Sequence, residues 1–387
     1  MIALTNGKIL TITGPVYERG TVLTDGGSIR AVGEQVAIPA DADVVDLHGA
    51  WVLPGLIDAH THMSNFPEPG TTPGLCRDVN EHSDPIMPHV QAADAINPWD
   101  YAIEPVRQAG FTTVCTLPGS ANVCGGMGIV WKLMGHTAEE MILPGTEQMK
   151  FAVGENPKKS FGMKDKLPIT RMGLAALLRQ TLSDACAYSD ALLAVGDDPS
   201  KLSKRDHKLQ ALVPVVRGEM FCRFHAHRAD DICTVIRIAR EFGLRYSIEH
   251  ATEGYKIVDV LRDSGVTCVV GPHLLAPAKQ ETQGISLRNA AVLSDAGVPI
   301  CLTANGGSMT QYLPATAGIL IARGLQEEAA FRALTIQPAR LLGIADRVGS
   351  IEVGKDADLA VFSGHLFNSM NRCLLTMING IICHRSL

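Results

Sequence analysis

The sequence lacks an excess of positive charge. Its 387 residues include 34 Lys and Arg against 40 Asp and Glu, which gives a formal net charge of −6. Proteins that bind nucleic acid usually present a basic patch or stripe on one face. We therefore expect no nucleic-acid partner.

Long apolar runs and paired cysteines are also missing. No run of about 18 apolar residues occurs, which excludes a transmembrane helix and predicts no membrane partner. The opening MIALTNGKILTITG lacks the basic and long apolar regions of a signal peptide and predicts a first strand. The ten cysteines form no Cys-x-x-Cys pair, and several, such as Cys115, Cys268 and Cys301, lie in apolar runs. We expect buried, reduced thiols in a cytoplasmic protein.

The composition that remains is that of a globular protein with ample core. Hydrophobic residues make up 46% and charged residues 19% of the chain. The length exceeds the roughly 250–300 residues that a single core supports, so we expect one large domain and a smaller one.

Three patterns follow one another along the chain. Residues 1–54 form short alternating runs broken by Gly and Asp, which are typical of hairpins. From residue 55, short apolar runs alternate with helix-length segments, which favours repeated strand–helix units around a parallel sheet. After about residue 350 the pattern returns to strands. The sequence predicts a small β-domain built from both chain ends, with the large domain between them.

Eight apolar runs are candidate strands of the central domain: Leu56–Ala59, Thr112–Leu117, Gly128–Lys132, Met149–Val153, Met220–His225, Arg245–Glu249, Val266–Val270 and Val298–Thr303. Five segments between them are candidate helices: Pro98–Gln108, Arg171–Ala187, Asp231–Glu241, Ile257–Asp263 and Leu287–Ser294. The long segment Met63–Asn97 has no clear periodicity, and we expect a loop that covers a substrate.

Histidines follow three of these strands where each strand ends. His60 and His62 end the first, in PGLIDAHTH, and a strand points residues i and i+2 to one side. His225 ends the fifth strand and His250 the sixth. Strand ends of a barrel share one rim, so we expect these imidazoles to converge on a metal ion.

The motifs resemble those of a known family. PGLIDAHTH, the later strand-end histidines and GSIEVGKDADLAVF resemble the amidohydrolase superfamily. NEHSDPIMPHVQAADAINPWD, GSANVCGG and MKFAVGENPKK resemble its imidazolonepropionase-like branch. The resemblance covers nearly the whole chain and implies an α/β fold: a (β/α)8 TIM-like barrel with a small β-sandwich domain. The expected bounds are 1–54 and 351–387 for the sandwich and 55–350 for the metal-dependent barrel.

The resemblance also implies a ligand set. His60 and His62 match the family's first-strand ligands, His225 its fifth-strand ligand and His250 its sixth-strand ligand. Many members bridge two metals with a carboxylated lysine on the fourth strand. Lys150 lies at the matching position and is the favoured bridge, with the carboxylate of Glu155 as the alternative.

The eighth strand departs from the family pattern. It normally ends in an Asp that binds metal and takes the proton of the attacking water. Here Asn305 lies where that Asp is expected, with Ala304 the next candidate. An Asn amide can offer oxygen to a metal but cannot act as a general base. Three interpretations stay open: a variant inactivated to trap substrate, which we favour because the other motifs are intact, a natural member with another base, or a degenerate member without turnover.

Two further histidines are candidate catalytic residues. His227 lies two residues beyond His225 and is expected to contact the oxyanion or to support a ligand, while His273 follows the seventh strand. For each, ordinary packing at a strand end is the alternative.

The resemblance predicts a hydrolase that cleaves a C–N bond of a small molecule by a metal-bound hydroxide. The substrate would be an amide, a cyclic amide or a dipeptide-like compound. We expect one or two divalent ions per chain, zinc foremost, and a homo-oligomer. Two alternatives are a deaminase of a small heterocycle, favoured by a single ion without Lys150, and a non-catalytic binding relic of the fold.

Overall fold

The protein is described by a computed structural model that covers residues 1–68 and 78–387. Its strands are β1 Ile2–Leu10, β2 Val16–Asp25, β3 Ser28–Gly33, β4 Asp43–Asp46, β5 Trp51–Pro54, β6 Leu56–Thr61, β7 Phe111–Thr116, β8 Cys124–Lys132, β9 Gln148–Ala152, β10 Phe221–Ala226, β11 Tyr246–His250, β12 Thr267–Val270, β13 Ile300–Leu302, β14 Leu359–Phe362, β15 Cys373–Ile378 and β16 Ile381–Arg385.

The α-helices are α1 Ile103–Gln108, α2 Ala138–Met141, α3 Glu155–Gly162, α4 Arg171–Ala194, α5 His207–Val216, α6 Ala229–Glu241, α7 Val258–Ser264, α8 Asn289–Asp295, α9 Leu313–Ile321, α10 Glu327–Ala333 and α11 Ile336–Leu341. Among residues 1–68 and 78–387, no helix combines the length and apolarity needed to span a bilayer.

Strands β6 to β13 form a nearly closed barrel, in chain order around the sheet. Every residue of β6 and β7 is buried, as parallel strands covered on both faces require. Helix α6 packs on β10 and buries Ile232, Val235, Ile236 and Ala239, the spacing of one helix face. The α/β class and the TIM-like barrel are confirmed.

The third barrel strand differs from the expectation of a parallel sheet. The predicted run Gly128–Lys132 lies within β8, but β8 runs antiparallel to both β7 and β9. A parallel neighbour needs a crossover of a dozen or more residues, usually a helix, whereas an antiparallel one accepts a short link. Only residues 117–123 separate β7 from β8, and α2 is the only α-helix between β8 and β9. The short connection explains the reversed direction.

A second sheet of eight strands is built from both chain ends. Its order is β16-β15-β14-β5-β1-β2-β3, with β4 paired to β1. The two ends meet where β14 pairs antiparallel with β5, Val361 opposite Val52. This sheet has its own core, which includes Leu4, Leu359 and Leu375. The predicted β-domain from both ends is confirmed, and its division at residues 54 and 350 stays a prediction.

The segment Met63–Asn97, expected to cover a substrate, is described only in part, because residues 69–77 lie outside the described residues. Its later part packs on the third barrel strand, with bridges from Ile86 to Cys124 and from Gln91 to Met127. The nine described cysteines are free thiols, and Cys115, Cys268 and Cys301 are buried.

Lys132, at the end of β8, ties the barrel to the chain-end sheet. Its ammonium lies 2.7 Å from a carboxylate oxygen of Asp356 and 2.9 Å from one of Asp358, and it also donates to Asn379. The Lys132 and Asp358 side chains are 3% and 2% exposed. Burial raises the pKa of Asp358 and the Lys132 charge opposes that rise. The Lys132 ammonium therefore neutralises the buried Asp358 carboxylate where the barrel contacts the chain-end sheet.

We expect Lys132→Met to lower the free energy of unfolding by about 3–5 kcal/mol, because Asp358 would stay buried without its countercharge. The matched control is Arg179→Met, which removes a surface partner of Glu241 and should cost at most about 1 kcal/mol. Urea unfolding of the two variants gives the comparison. Equal losses would show that Lys132 does not carry this contact.

Candidate metal centre

Five histidines meet at the carboxyl ends of three barrel strands. His60 lies on β6 with His62 directly after it, His225 lies on β10 with His227 directly after it, and His250 ends β11. Ring centroids of His60 lie 5.3 Å from those of His62 and 5.0 Å from those of His250. The rings of His225, His227 and His250 are 4.6–4.7 Å apart. The structure thus brings together the histidines that the sequence places at one rim.

Each of four rings is oriented by a hydrogen bond at Nδ1. His62 donates to the Leu117 carbonyl at 2.8 Å, and His250 donates to the Gly271 carbonyl at 2.7 Å. His227 pairs with the Thr252 hydroxyl at 2.7 Å, and His60 with Glu249 at 2.6 Å. A carbonyl partner fixes the proton on Nδ1 and leaves Nε2 with its lone pair, as in metal-binding imidazoles.

Burial keeps these imidazoles neutral. It lowers the pKa of His62 and of His227 to about 4. Burial also lowers the pKa values of His60, His225 and His250 well below the usual 6.5. Neutral imidazole is the form that binds a metal, because the lone pair is then free.

Lys150 lies on β9 beside the first histidine pair. Its side chain is 1% exposed, and Nζ is 3.4 Å from Nε2 of His60. Burial lowers the pKa of its amine to about 7. The alternative bridge, Glu155, lies at the start of α3 and accepts a hydrogen bond from the backbone N–H of Glu281 at 3.2 Å. Of the two candidate bridges, Lys150 therefore lies beside His60, and Glu155 is hydrogen-bonded to Glu281.

A buried ion pair beneath the histidines escaped the sequence analysis. Arg223 donates to both carboxylate oxygens of Glu249, at 2.7 and 2.8 Å, and to Gln148 at 2.7 Å. Burial alone would raise the pKa of Glu249, but the charge of Arg223 and the His60 hydrogen bond hold it well below its usual range. Arg223 precedes His225 by two residues, so strand alternation put it on the same face. This spacing of two residues was the feature of the sequence from which Arg223 could have been found.

Asp58 was also missed, although it lies inside the PGLIDAHTH motif. It is fully buried, and burial raises its pKa to about 6. Its carboxylate accepts hydrogen bonds from the Thr310 hydroxyl at 3.1 Å and from the Ala304 N–H at 3.3 Å. Asp58 thereby fixes the segment after the eighth barrel strand against the first strand.

Asn305 lies in that segment and reaches the cavity above the histidines. Its φ of 57° is left-handed, a conformation that Asn tolerates better than most residues. Its Oδ1 is buried and has no hydrogen-bond partner among the described residues. Ala304, by contrast, packs against the apolar core. The side chain that the eighth strand presents to the cavity is therefore Asn305, and its match to the family Asp stays a prediction.

The cavity has a volume of about 130 Å³ and is lined by four of the histidines together with Asn305 and Thr252. The apolar side chains of Leu275 and Ile285 and the cationic side chain of Lys279 also line the cavity. This size suits a small molecule. His273 lines a smaller neighbouring pocket that shares His250 and Thr252, so its catalytic role stays a prediction without a place in the larger cavity.

Lys279 and Glu281 were missed because they lie in an irregular segment after the seventh strand, where no periodic pattern marks them. Lys279 donates to Asn156 at 2.9 Å and to Glu281 at 3.4 Å. One carboxylate oxygen of Glu281 lies 3.7 Å from Nε2 of His225 and 3.8 Å from Nε2 of His227.

Comparisons with known proteins identify the family to which this chain belongs. The amidohydrolase family model matches residues 221–383. The crystal structure of an amidohydrolase from Thermotoga maritima MSB8 has a TM-score of 0.94 and 39% identity over 100% of both chains. The chain belongs to the amidohydrolase family.

Two curated relatives refine this assignment for the amidohydrolase. Amidohydrolase tasK of Hapsidospora irregularis is 27% identical over 89% of this chain, which spans 38% of the length of that relative. Imidazolonepropionase of Geobacillus thermodenitrificans (strain NG80-2) is 24% identical over 90% of this chain and 84% of its own. The predicted superfamily and its imidazolonepropionase-like branch are confirmed. The amidohydrolase is a hydrolase that acts on C–N bonds.

The buried His273 should make the stability of the protein depend on pH. Burial lowers its pKa to about 4, whereas in the unfolded chain it titrates near 6.5. Between these values the unfolded state binds more protons, so stability falls as the pH falls through that window. We expect His273→Gln to abolish roughly 3 kcal/mol of this loss in metal-stripped protein.

Urea unfolding at pH 6.5 and pH 4 measures the change, with His89→Gln, which alters an exposed histidine, as the control. An unchanged pH dependence in His273→Gln would refute the assignment of this titration.

Proposed function

We propose that this amidohydrolase is a metal-dependent hydrolase that cleaves an amide, cyclic amide or dipeptide-like C–N bond of a small molecule. The observation that carries the proposal is the convergence of five neutral imidazoles, four of them buried, at one rim of the barrel, where His62, His225, His227 and His250 line a small cavity. Barrels host many chemistries, so the argument rests on the site and not on the fold.

The donor set fits a divalent ion. We assign His60, His62, His225 and His250 as ligands, with Lys150 as a carboxylated bridge and Asn305 as an oxygen donor. Support comes from the buried Oδ1 of Asn305, which has no hydrogen-bond partner among the described residues. Imidazole nitrogen with oxygen suits zinc, in one or two ions per chain.

Lys150 has the chemical state that the bridge requires. Only an uncharged amine can react with carbon dioxide, and burial brings the pKa of Lys150 to about 7. The product carries a negative charge, which is favourable beside cations and explains why a lysine can be buried here.

A divalent ion held by these residues would supply Lewis-acid chemistry: it would lower the pKa of water toward about 7 and polarise the scissile carbonyl. The chain contributes the surroundings. His227 lies in the same centre and lines the cavity together with the apolar side chains of Leu275 and Ile285. Asn305 presents its amide where a proton acceptor is expected, and an amide cannot take that proton. Small cyclic amides fit this arrangement, in line with the name of the imidazolonepropionase relative.

We expect Asn305→Asp to raise kcat/KM by at least about 100-fold, the lower limit for a positioned general base. Both forms are assayed against N-acyl amino acids, cyclic amides, dipeptides and amino-heterocycles, with metal content measured on the same samples. Asn305→Ala is the matched control and should be no faster than the parent, because it adds no proton acceptor and removes the proposed oxygen donor. Chelation should abolish turnover, and zinc or manganese should restore it.

Equal rates for the parent and Asn305→Asp on every compound would contradict the assignment of Asn305. Ammonia release from a heterocycle by protein with one ion would favour a deaminase, and protein that takes up no metal would favour a binding relic.

A further inference from the structure

Glu281 is a buried carboxylate that faces the histidines from the segment after the seventh barrel strand. It lies in a short 3-10 turn, Gln280–Thr282, and its side chain is 1% exposed. One of its oxygens accepts the backbone N–H of Glu155 at 2.8 Å. The other is turned toward His225 and His227.

The distances within this group suit a tetrahedral ion. Zinc lies about 2.0–2.2 Å from nitrogen and carboxylate ligands, which puts neighbouring ligand atoms about 3.4 Å apart. Glu281 Oε1 is 3.7 Å from Nε2 of His225 and 3.8 Å from Nε2 of His227. One nitrogen each from His225, His227 and His250 lies within 4.8 Å of the others. The three imidazoles would have to move closer together to reach this spacing, while Glu281 already lies near it from two of them.

Two other buried carboxylates near the histidines, Glu249 and Asp58, are already committed to hydrogen bonds. Glu249 is paired with Arg223 through both of its oxygens. Asp58 accepts from the Thr310 hydroxyl and from two backbone N–H groups. Glu281 is paired instead with Lys279, whose side chain is 38% exposed and can turn away from the centre.

His227 is oriented for the same ion. Its Nδ1 pairs with the Thr252 hydroxyl at 2.7 Å, and its Nε2 is the atom that faces Glu281. Its ring is stacked on that of His250 at 4.7 Å, so both rings approach the group from one side. Burial keeps both imidazoles in the neutral form.

We propose that a divalent ion binds among His225, His227, His250 and Glu281, in a position offset from the pair His60 and His62. This inference rests on the proposed function, since it concerns the same centre. It adds His227 and Glu281 to the ligands. Three neutral imidazoles and one carboxylate are a donor set typical of zinc and of similar borderline ions.

The test is a titration of metal-stripped protein with Co²⁺, followed by visible absorption, which reports the coordination geometry, and by elemental analysis. We expect Glu281→Gln and His227→Asn each to weaken the binding of one ion by at least about 10-fold, the lower range for loss of even an outer partner of a site. Lys279→Met should tighten the same binding, because it removes a cation 3.4 Å from the carboxylate. A general loss of structure would weaken Co²⁺ binding in all three variants. Tighter binding in Lys279→Met alone would therefore show that Glu281 acts as a ligand.

The matched control is Glu253→Gln, a carboxylate after the sixth strand that is bound to Lys256 and to the Ala229 N–H. It should bind Co²⁺ as the parent does. Parent-like affinity and spectrum in folded Glu281→Gln and His227→Asn would overturn the proposal. If Glu281→Gln does not fold, His227→Asn and Lys279→Met decide the matter.

His60→Asn separates this inference from the proposed function. Loss of metal in Glu281→Gln together with unaltered binding in His60→Asn would support the offset site and refute the ligand set assigned from the family pattern. The reverse result would refute the offset site alone.

Discussion

The hydrogen bond between His60 and Glu249 is the constraint on which the centre of the barrel depends. Both side chains are fully buried and 2.6 Å apart. Arg223 keeps Glu249 ionised, and the carboxylate in turn holds Nδ1 of His60, so that Nε2 is directed toward Lys150. Two buried polar groups, Glu249 and Arg223, thus orient one imidazole, which is how outer partners tune a metal ligand.

The remaining parts of the centre are positioned by strand ends. Strand alternation sets His60 with His62 and His225 with His227, and backbone carbonyls at Leu117 and Gly271 orient two of the rings. The reversed third strand does not disturb this geometry, because it contributes none of the five histidines. Asp58 then fixes the eighth-strand segment, which carries Asn305 to the cavity.

The sequence predicted what depends on periodicity. Strand-end histidines and the β-domain from both chain ends follow from alternation and from the order of the patterns along the chain. Lys150 on the fourth strand came from the resemblance to the family. The direction of β8 was not predictable from its apolar run, since it depends on the length of the connections. Lys279 and Glu281 lie in irregular chain whose path is set by tertiary contacts, as in the bond from the Glu155 N–H to Glu281. Arg223 was accessible through its spacing from His225 but has no motif of its own.

The most direct test is anomalous diffraction from crystals of the protein incubated with zinc and bicarbonate. Buried neutral imidazoles that converge to hold a cation predict a strong anomalous peak within about 2.0–2.2 Å of the imidazole nitrogens of this centre. The map around Lys150 would show added density on its amine. A map without any peak between these rings after such incubation would contradict the assignment of this cluster as a metal centre.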